Sequence, residues 1–385
     1  MQHAVVILPT YNEKENIQKL IPVLEEEIFP KIKNYKMSIL VADDTSPDGT
    51  GEIVEEFAKK YKNLHLSTGK KAGLGAAYLR AMDEAIKKLE ADIVFEMDAD
   101  GQHDPTKLSE FLKKLEEGND MVVGTRYSEG GSIPKNWPPQ RKLFSIVANL
   151  LVRSIFMRFS IHDWTGGYRA IKKEVFLKEH EKLTGFNGYI FQIAFLHKAV
   201  VDGFKIGEVP FHFTDRTLGK SKIAPLGYIF DVLYFVISAR IKELLFGKLG
   251  KFLVVGGVGF VINFVILKVL SDTYNFDHSI ANLVGAGAAI FSNYNFNNIW
   301  TFKEHKVKGV SEYIIKLLQF YLTSIFGVIF IQTGTIFLGD KTIGEGVFHF
   351  IIPIKFYYIY FILGTGLLLI WNFTIYNKFI WKKKA

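Results

Sequence analysis

Cysteine is absent from the 385 residues, which excludes disulfides and every thiolate metal site. Arginine is absent after residue 240. The guanidinium is the side chain best suited to bidentate phosphate contacts, so anion chemistry belongs to the first part of the chain. The start of the chain lacks a basic segment followed by a long apolar stretch; a single short apolar run precedes Pro9. No secretory signal is therefore expected, and the first part is expected to stay in the cytoplasm. A nucleophile–base–acid triad is also missing. What is abundant is apolar: 49% hydrophobic and 15% aromatic residues, unevenly spread. Residues 1–220 are mixed and charged, whereas residues 250–385 read as membrane. The length implies two or three domains. The net charge of +8 suits phosphorylated substrates or an anionic membrane surface; nothing in the pattern singles out nucleic acid.

Short apolar runs at residues 5–8, 38–42, 64–66, 93–97 and 121–123 alternate with helical patterns at 13–28, 51–61, 73–89 and 105–117. That alternation predicts a parallel, doubly wound α/β sheet, whose ligands sit beyond the carboxyl ends of the strands. Polar clusters follow Leu8, Ala42, Met97 and Gly124. Two later segments are amphipathic. In 139–160 the polar positions Lys142, Ser145, Asn149 and Arg153 recur every three or four residues, and in 226–246 a polar stripe runs through Asp231, Ser238 and Lys242. Such helices are either buried core or lie in a membrane interface; the membrane-like sequence nearby favours the interface.

Four stretches, 251–271, 279–300, 316–338 and 353–377, are long enough to cross the ~30 Å hydrocarbon layer. Lys303, Lys306, Lys308 and Lys316 follow the second, and Lys378, Lys382, Lys383 and Lys384 end the chain. The positive-inside rule then puts both termini on the cytoplasmic side. The organisation expected is a catalytic domain at 1–224, an interfacial helix and linker at 225–248, and a four-span domain at 249–385. Ser292, Asn293, Asn295, Asn297 and Asn298 interrupt the second span; hydrogen bonding to neighbouring helices is the plainer reading, and lipid handling the other.

The sharpest motif is Asp-Ala-Asp-Gly-Gln-His-Asp-Pro at 98–105. Carboxylates two residues apart at a strand end point to one side, and hard cations such as Mg²⁺ or Mn²⁺ take oxygen ligands together with substrate phosphates. Asp43 and Asp44 end the second strand, where carboxylates often hold ribose or a base edge; the turn that follows, with Ser46, Asp48 and Thr50, equally caps a helix. Pro9, Tyr11 and Glu13 suit a base pocket with Tyr11 stacking. Gly73-Leu74-Gly75 is an incomplete phosphate fingerprint and reads better as tight helix packing. Arg126, Arg141, Arg169, Arg216, Lys220 and Lys222 recur in loops, and Arg216, Gly219, Ser221 and Lys222 form a compact anion-binding candidate.

These runs, in this order, resemble the inverting family-2 glycosyltransferases of the polyprenyl-phosphate mannose synthase type. The matching stretches are 9–13, 43–48, 71–76, 98–105 and 124–127, then Trp137, Arg141, Ser145 and Asn149, then 163–169, 188–192, 208–210 and 213–222. Lys251, Phe252, Gly256, Gly257 and the run 298–302 resemble the four-helix GtrA-like membrane domain. The resemblance implies a GT-A fold and transfer of mannose from GDP-mannose to dolichyl or other polyprenyl phosphate at a cell membrane. It implies that Pro9, Tyr11, Glu13, Ala42 and Asp44 hold the nucleoside, that Asp98, Asp100 and Gln102 hold Mg²⁺ or Mn²⁺, and that Ala99 lines the donor site. Arg126, Arg216 and Lys222 would contact phosphates, and Arg141 and Ser145 would face the acceptor; Asp100, Arg126 and Arg216 would carry the chemistry. Relatives often have an acid two residues after Gln192; here Ala194 removes any acidic role there. UDP-glucose as donor is the nearest rival, and a lipid-linked sugar translocator the rival of another class. A processive polysaccharide synthase is disfavoured because no tryptophan follows an arginine.

Overall fold

A computed structural model of the chain describes residues 1–215, 226–276, 278–344, 346–349 and 353–381. It divides into two compact units, Met1–Arg240 and Ile241–Ala385.

The first unit is built on β1 (Gln2–Thr10), whose interior is buried on both faces. Side chains alternate across the sheet: Ala4, Val6 and Leu8 enter one core and Val5 and Ile7 the other. A strand covered on both sides must be apolar throughout, which is why this run shows no polar alternation. Around β1 lie β2 (Tyr35–Asp43), β3 (Leu64–Thr68), β4 (Ile93–Glu96), β5 (Met121–Thr125), β6 (Arg169–Lys172) and β7 (Ile206–Pro210), in the order β3-β2-β1-β4-β6-β5-β7. One face is covered by α1 (Lys14–Pro22), α2 (Thr50–Lys60) and α4 (Leu108–Glu116). The other carries α3 (Leu74–Lys88), α5 (Pro139–Phe156), α6 (Lys173–Glu179), α7 (Gly188–Val201) and α8 (Leu226–Phe246).

The sheet is mixed, which corrects the expectation of an all-parallel one. β1 to β4 pair in parallel, but β6 runs antiparallel between β4 and β5. Four residues, with Arg169 and Lys172 at the ends, are too short to carry a periodic signal. The chain leaves β1 toward β2 and β3, then returns to β4 on the other side of β1. That reversal opens a crevice at the carboxyl ends of β1 and β4.

α4 and α5 orient their faces oppositely. A single 3-10 turn, Pro105–Lys107, leads into α4 and is capped by Asp104, whose carboxylate accepts from Thr106 N at 2.9 Å. α4 buries Leu108, Phe111, Leu112 and Leu115 and leaves its charges in solvent. α5 turns its polar stripe inward: Asn149 is buried, with Oδ1 accepting from Trp164 N at 2.8 Å and Nδ2 donating to Thr165 Oγ1 at 3.1 Å. Leu143, Phe144, Ile146 and Leu150 face outward, from 47 to 61% exposed. α8 divides similarly, with Val236 in the core and Phe230, Tyr234 and Ile237 exposed. Neither helix is a plain core helix.

The second unit comprises α9 (Lys248–Asp272), α10 (His278–Phe296), α11 (Val310–Phe326), α12 (Thr333–Thr342), a short β8 (Val347–His349) and β9 (Pro353–Lys355) ladder, and α13 (Phe356–Ile375). Among the described residues, two helices are long and apolar enough to cross a membrane: Lys248–Leu270 and Val310–Ile331. Only 12% and 11% of them is buried, so they are not core helices of a water-soluble fold. The other expected spans coincide with α10 and α13, which do not meet the same criterion among the described residues. Small residues let α9 and α10 approach: Gly259 faces Asn293, and Gly285 faces Asn263. Asn298 accepts from Val307 N and Trp381 Nε1, each at 2.9 Å, and Asn295 accepts from Tyr313 at 2.8 Å. The asparagine run thus holds the unit together through hydrogen bonds.

Candidate active site

The register of β1 on β2 sets Pro9 beside Ala42 and Thr10 beside Asp43. Asp43 serves the turn: it accepts from Thr10 Oγ1 at 2.8 Å and from Ser46 N at 2.8 Å. Asp48 accepts from Thr50 N at 3.0 Å and Lys14 N at 3.2 Å. Burial opposes its charge, but these donors outweigh it and hold the carboxyl below its usual range. The capping reading of this acidic turn is seen directly in Asp43 and Asp48, which build it. Asp44 is paired at 3.0 Å with Arg80 from α3, a partner the sequence pattern did not single out. Tyr11 is partly exposed at the lip, with Lys71 Nζ 3.3 Å from its ring centroid. Glu13 accepts from Asn16 at 2.5 Å. Gly75 packs against Phe186 O and Phe191, so the glycine pair here serves close packing.

The acidic motif leaves the end of β4. Asp98 is hydrogen-bonded by Tyr78 at 3.4 Å, and its backbone N–H donates to His103 Nδ1 at 2.9 Å. His103 is stacked on Tyr168 at 4.8 Å between ring centroids, and burial lowers its pKa to about 4. It is a neutral prop for the motif, an assignment the sequence alone did not suggest. Asp100 and Gln102 are buried, with Gln102 N donating to Asp100 Oδ1 at 3.1 Å. The Gln102 amide nitrogen donates to Thr214 O at 3.1 Å. Ala99 between them is buried. Among the described residues no cluster of three or more acidic or histidine groups forms a closed cation cage. Two carboxylates and an amide are hard oxygen donors; they fit a cation that completes its shell with substrate phosphates and water.

Below the motif lies Glu96, wholly buried, with Arg169 at 3.8 Å. Burial raises its pKa to about 7, against the pull of Arg169. Arg169 donates to the carbonyls of Gly166 at 3.0 Å and Gln192 at 2.8 Å, so it is a structural arginine.

Arg126 comes off β5 and is bound by buried Asp163: Nε and Nη2 donate to its two oxygens at 2.7 and 2.8 Å. Nη2 also donates to Thr165 at 2.9 Å. Burial disfavours both charges, but the pair outweighs it, raising the arginine pKa and lowering that of Asp163. An anion arriving here meets an arginine whose charge is already paired with a buried carboxylate. Asp100, Arg126 and Asp163 all lie within electrostatic reach of His103, so the structure brings the acidic motif and this arginine together.

On the remaining side, Ser145 is joined to Tyr127 OH at 2.5 Å. The Arg141 guanidinium lies 3.8 Å over Trp137, with Asp215 4.0 Å away. Arg216 and Lys222 lie outside the described residues, as do Gly219, Lys220 and Ser221. Sequence reasoning passed over Asp163 and Asp215 as sites; an acid in a polar turn looks alike whether it faces water or an arginine.

Residues 5–180 match the family model described as Glycosyl transferase family 2, and residues 251–381 that described as the GtrA/DPMS transmembrane domain. The chain is 40% identical over 227 residues to the polyprenol monophosphomannose synthase of Mycolicibacterium smegmatis, covering 58% of this chain and 82% of that protein. It is 31% identical over 331 residues to the dolichol-phosphate mannosyltransferase of Pyrococcus furiosus, covering 84% and 87%. In structure it is similar to glucosyl-3-phosphoglycerate synthase from Mycobacterium tuberculosis, with a TM-score of 0.44, 19% identity, and coverage of 62% and 80%. The first unit is GT-A-like with a mixed sheet, and the GtrA/DPMS match with two apolar helices marks an integral membrane protein.

Proposed function

We propose a reaction for a chain that belongs to the polyprenol-phosphate mannose synthase family of glycosyltransferases. It transfers mannose to a polyprenyl phosphate, with GDP-mannose as donor and inversion at the anomeric carbon. The observation that carries this reading is the Asp98–Asp100–Gln102 motif at the β4 end, within the crevice between β1 and β4 and inside a chain related to both mannosyltransferases.

The nucleoside lies across Pro9, Tyr11, Glu13, Ala42 and Asp44, with Arg80 fixing the Asp44 carboxylate. Asp98, Asp100 and Gln102 hold Mg²⁺ or Mn²⁺, which when bound neutralises charge on the leaving diphosphate. An oxygen of the acceptor phosphate attacks the anomeric carbon; the new C–O bond forms as the bond to the diphosphate breaks. The acceptor is already anionic, so no general base is needed, and catalysis rests on orientation and charge stabilisation. Arg141 and Ser145 receive the acceptor phosphate. Arg126 lines the donor side, and Arg216 and Lys222 complete the anion contacts. The outward apolar faces of α5 and α8 lie in the bilayer interface, where a lipid-borne phosphate is presented. Four spans follow from the length of the apolar stretches, and cytoplasmic termini from the lysine distribution.

The test is transfer of label to the organic phase by the full chain in detergent, with dolichyl phosphate, Mg²⁺ or Mn²⁺, and radiolabelled GDP-mannose or UDP-glucose. The expected result is label from GDP-mannose that Asp100→Ala lowers at least a hundredfold. Label from UDP-glucose alone overturns the sugar, and transfer unaffected by Asp100→Ala overturns the cation site.

A further inference from the structure

The segment 213–215 touches both halves of the site. Thr214 O accepts from Gln102 Nε2 at 3.1 Å, and Thr214 Oγ1 donates to Gly101 O at 3.1 Å. The backbone N–H of Phe213 donates to Ser132 O at 2.9 Å, and its ring packs edge-on to His103 and to Trp137. One residue further, the Asp215 carboxylate gathers the start of the acceptor-side helix. Oδ1 accepts from Trp137 Nε1 at 2.8 Å, Oδ2 accepts from Asn136 Nδ2 at 2.7 Å, and Arg141 Nη1 lies 4.0 Å from Oδ1. The Trp137 ring, itself buried, is the surface on which the Arg141 guanidinium rests.

We propose that Asp215 is a positioning residue for acceptor binding, fixing the Trp137 indole and through it the orientation of Arg141, while residues 213–214 tie that arrangement to the acidic motif. The inference rests on the reading above that Arg141 meets the lipid phosphate. Asp215 does not touch substrate. Its charge and its geometry act in opposite directions. As a negative charge 4 Å from Arg141 it weakens anion binding, but a half-exposed pair at this distance is worth only about 0–1 kcal/mol. As an acceptor for Trp137 and Asn136 it holds a three-residue cluster in one arrangement. A guanidinium misplaced by about 1 Å loses its bidentate contact. Geometry therefore outweighs charge.

Two substitutions separate these effects. Asp215→Asn removes the charge but keeps an oxygen for the indole N–H, and Asp215→Ala removes both. The probes are farnesyl phosphate, standing in for the lipid phosphate, and GDP with Mg²⁺, each titrated calorimetrically into the full chain in detergent. Asp215→Ala is expected to weaken farnesyl phosphate about tenfold and leave GDP within twofold; Asp215→Asn should stay within threefold for both. Trp137→Phe, which lacks the N–H, should weaken farnesyl phosphate similarly and combine non-additively with Asp215→Ala. Tighter farnesyl phosphate binding in both Asp215 variants, equal loss of both ligands in Asp215→Ala, or no change in either overturns the role. A wild-type chain that binds GDP but no isoprenyl phosphate overturns it together with the acceptor assignment. Binding of both probes without mannose transfer overturns the transfer reading and leaves this one standing.

Discussion

α4 and α5 are both amphipathic helices packed on the same sheet, one on each face, and they orient oppositely. α4 sends Leu108, Phe111, Leu112 and Leu115 inward and its charges outward. α5 sends Ser145 and Asn149 inward and exposes Leu143, Phe144, Ile146 and Leu150. The difference lies in what each helix covers. α4 lies over Phe95, Val122 and Tyr168, where only apolar side chains are stabilised. α5 lies beside the polar turn of Asp163, Trp164 and Thr165, whose backbone N–H groups and hydroxyl need partners once buried. α5 meets those demands with Asn149, packs Val152 and Phe156 into the core beside it, and leaves the rest of its apolar surface for the outside. That is tolerable where the outside is lipid rather than water.

Three substitutions sharpen or break this contrast. The largest effect is expected from Phe111→Ala on the inner face of α4. A fully buried aromatic is removed from a packed core, at a cost of about 3–5 kcal/mol. Chemical denaturation of the full chain in detergent measures it; a loss below about 1 kcal/mol would mean the α4 core is loosely packed. Next is Asn149→Ala on the inner face of α5. It strips an acceptor from Trp164 N and a donor from Thr165, leaving buried polar groups unmatched, at about 1–3 kcal/mol. If that variant were as stable as the parent, the inward polar stripe would be incidental. The smallest stability effect, within about 0.5 kcal/mol, belongs to Leu150→Cys on the outer face. The chain has no other cysteine, so a nitroxide attached there reports one position. In lipid vesicles it should be relaxed more by oxygen than by a water-soluble chromium complex. The opposite ranking would put α5 in water and remove the interfacial reading.

Much of the site was legible because the chemistry is local. The 98–105 run carries Asp98 and Asp100 two residues apart just past one strand end, and the structure keeps Asp100 and Gln102 hydrogen-bonded there. Pro9 and Ala42 were named together only through the family resemblance, and the register of β1 on β2 sets them side by side. Less legible were residues whose meaning is a long-range contact. Arg80 reaches Asp44 across 36 positions, and Arg126 reaches Asp163 across 37. Arg126 therefore looked like a ready anion ligand, whereas two of its five N–H donors are committed to a buried acid.

By itself the sequence determined the α/β alternation, the strand-end location of the polar clusters, the acidic motif and the apolar character of the second unit. Each is set by periodicity or by residues adjacent in the chain. Only the tertiary structure decided that β6 enters antiparallel between β4 and β5, that Ser145 and Asn149 of α5 point inward, that Asp163 binds Arg126, and that Asp215 binds Trp137 and Asn136. The physical reason is common to all of these. A hydrophobic period says that a helix has two faces but not which of them meets the protein. A carboxylate says that it needs donors but not where they come from. Both questions are settled by packing between segments distant in the chain, where burial makes an unmatched polar group costly and a matched one specific.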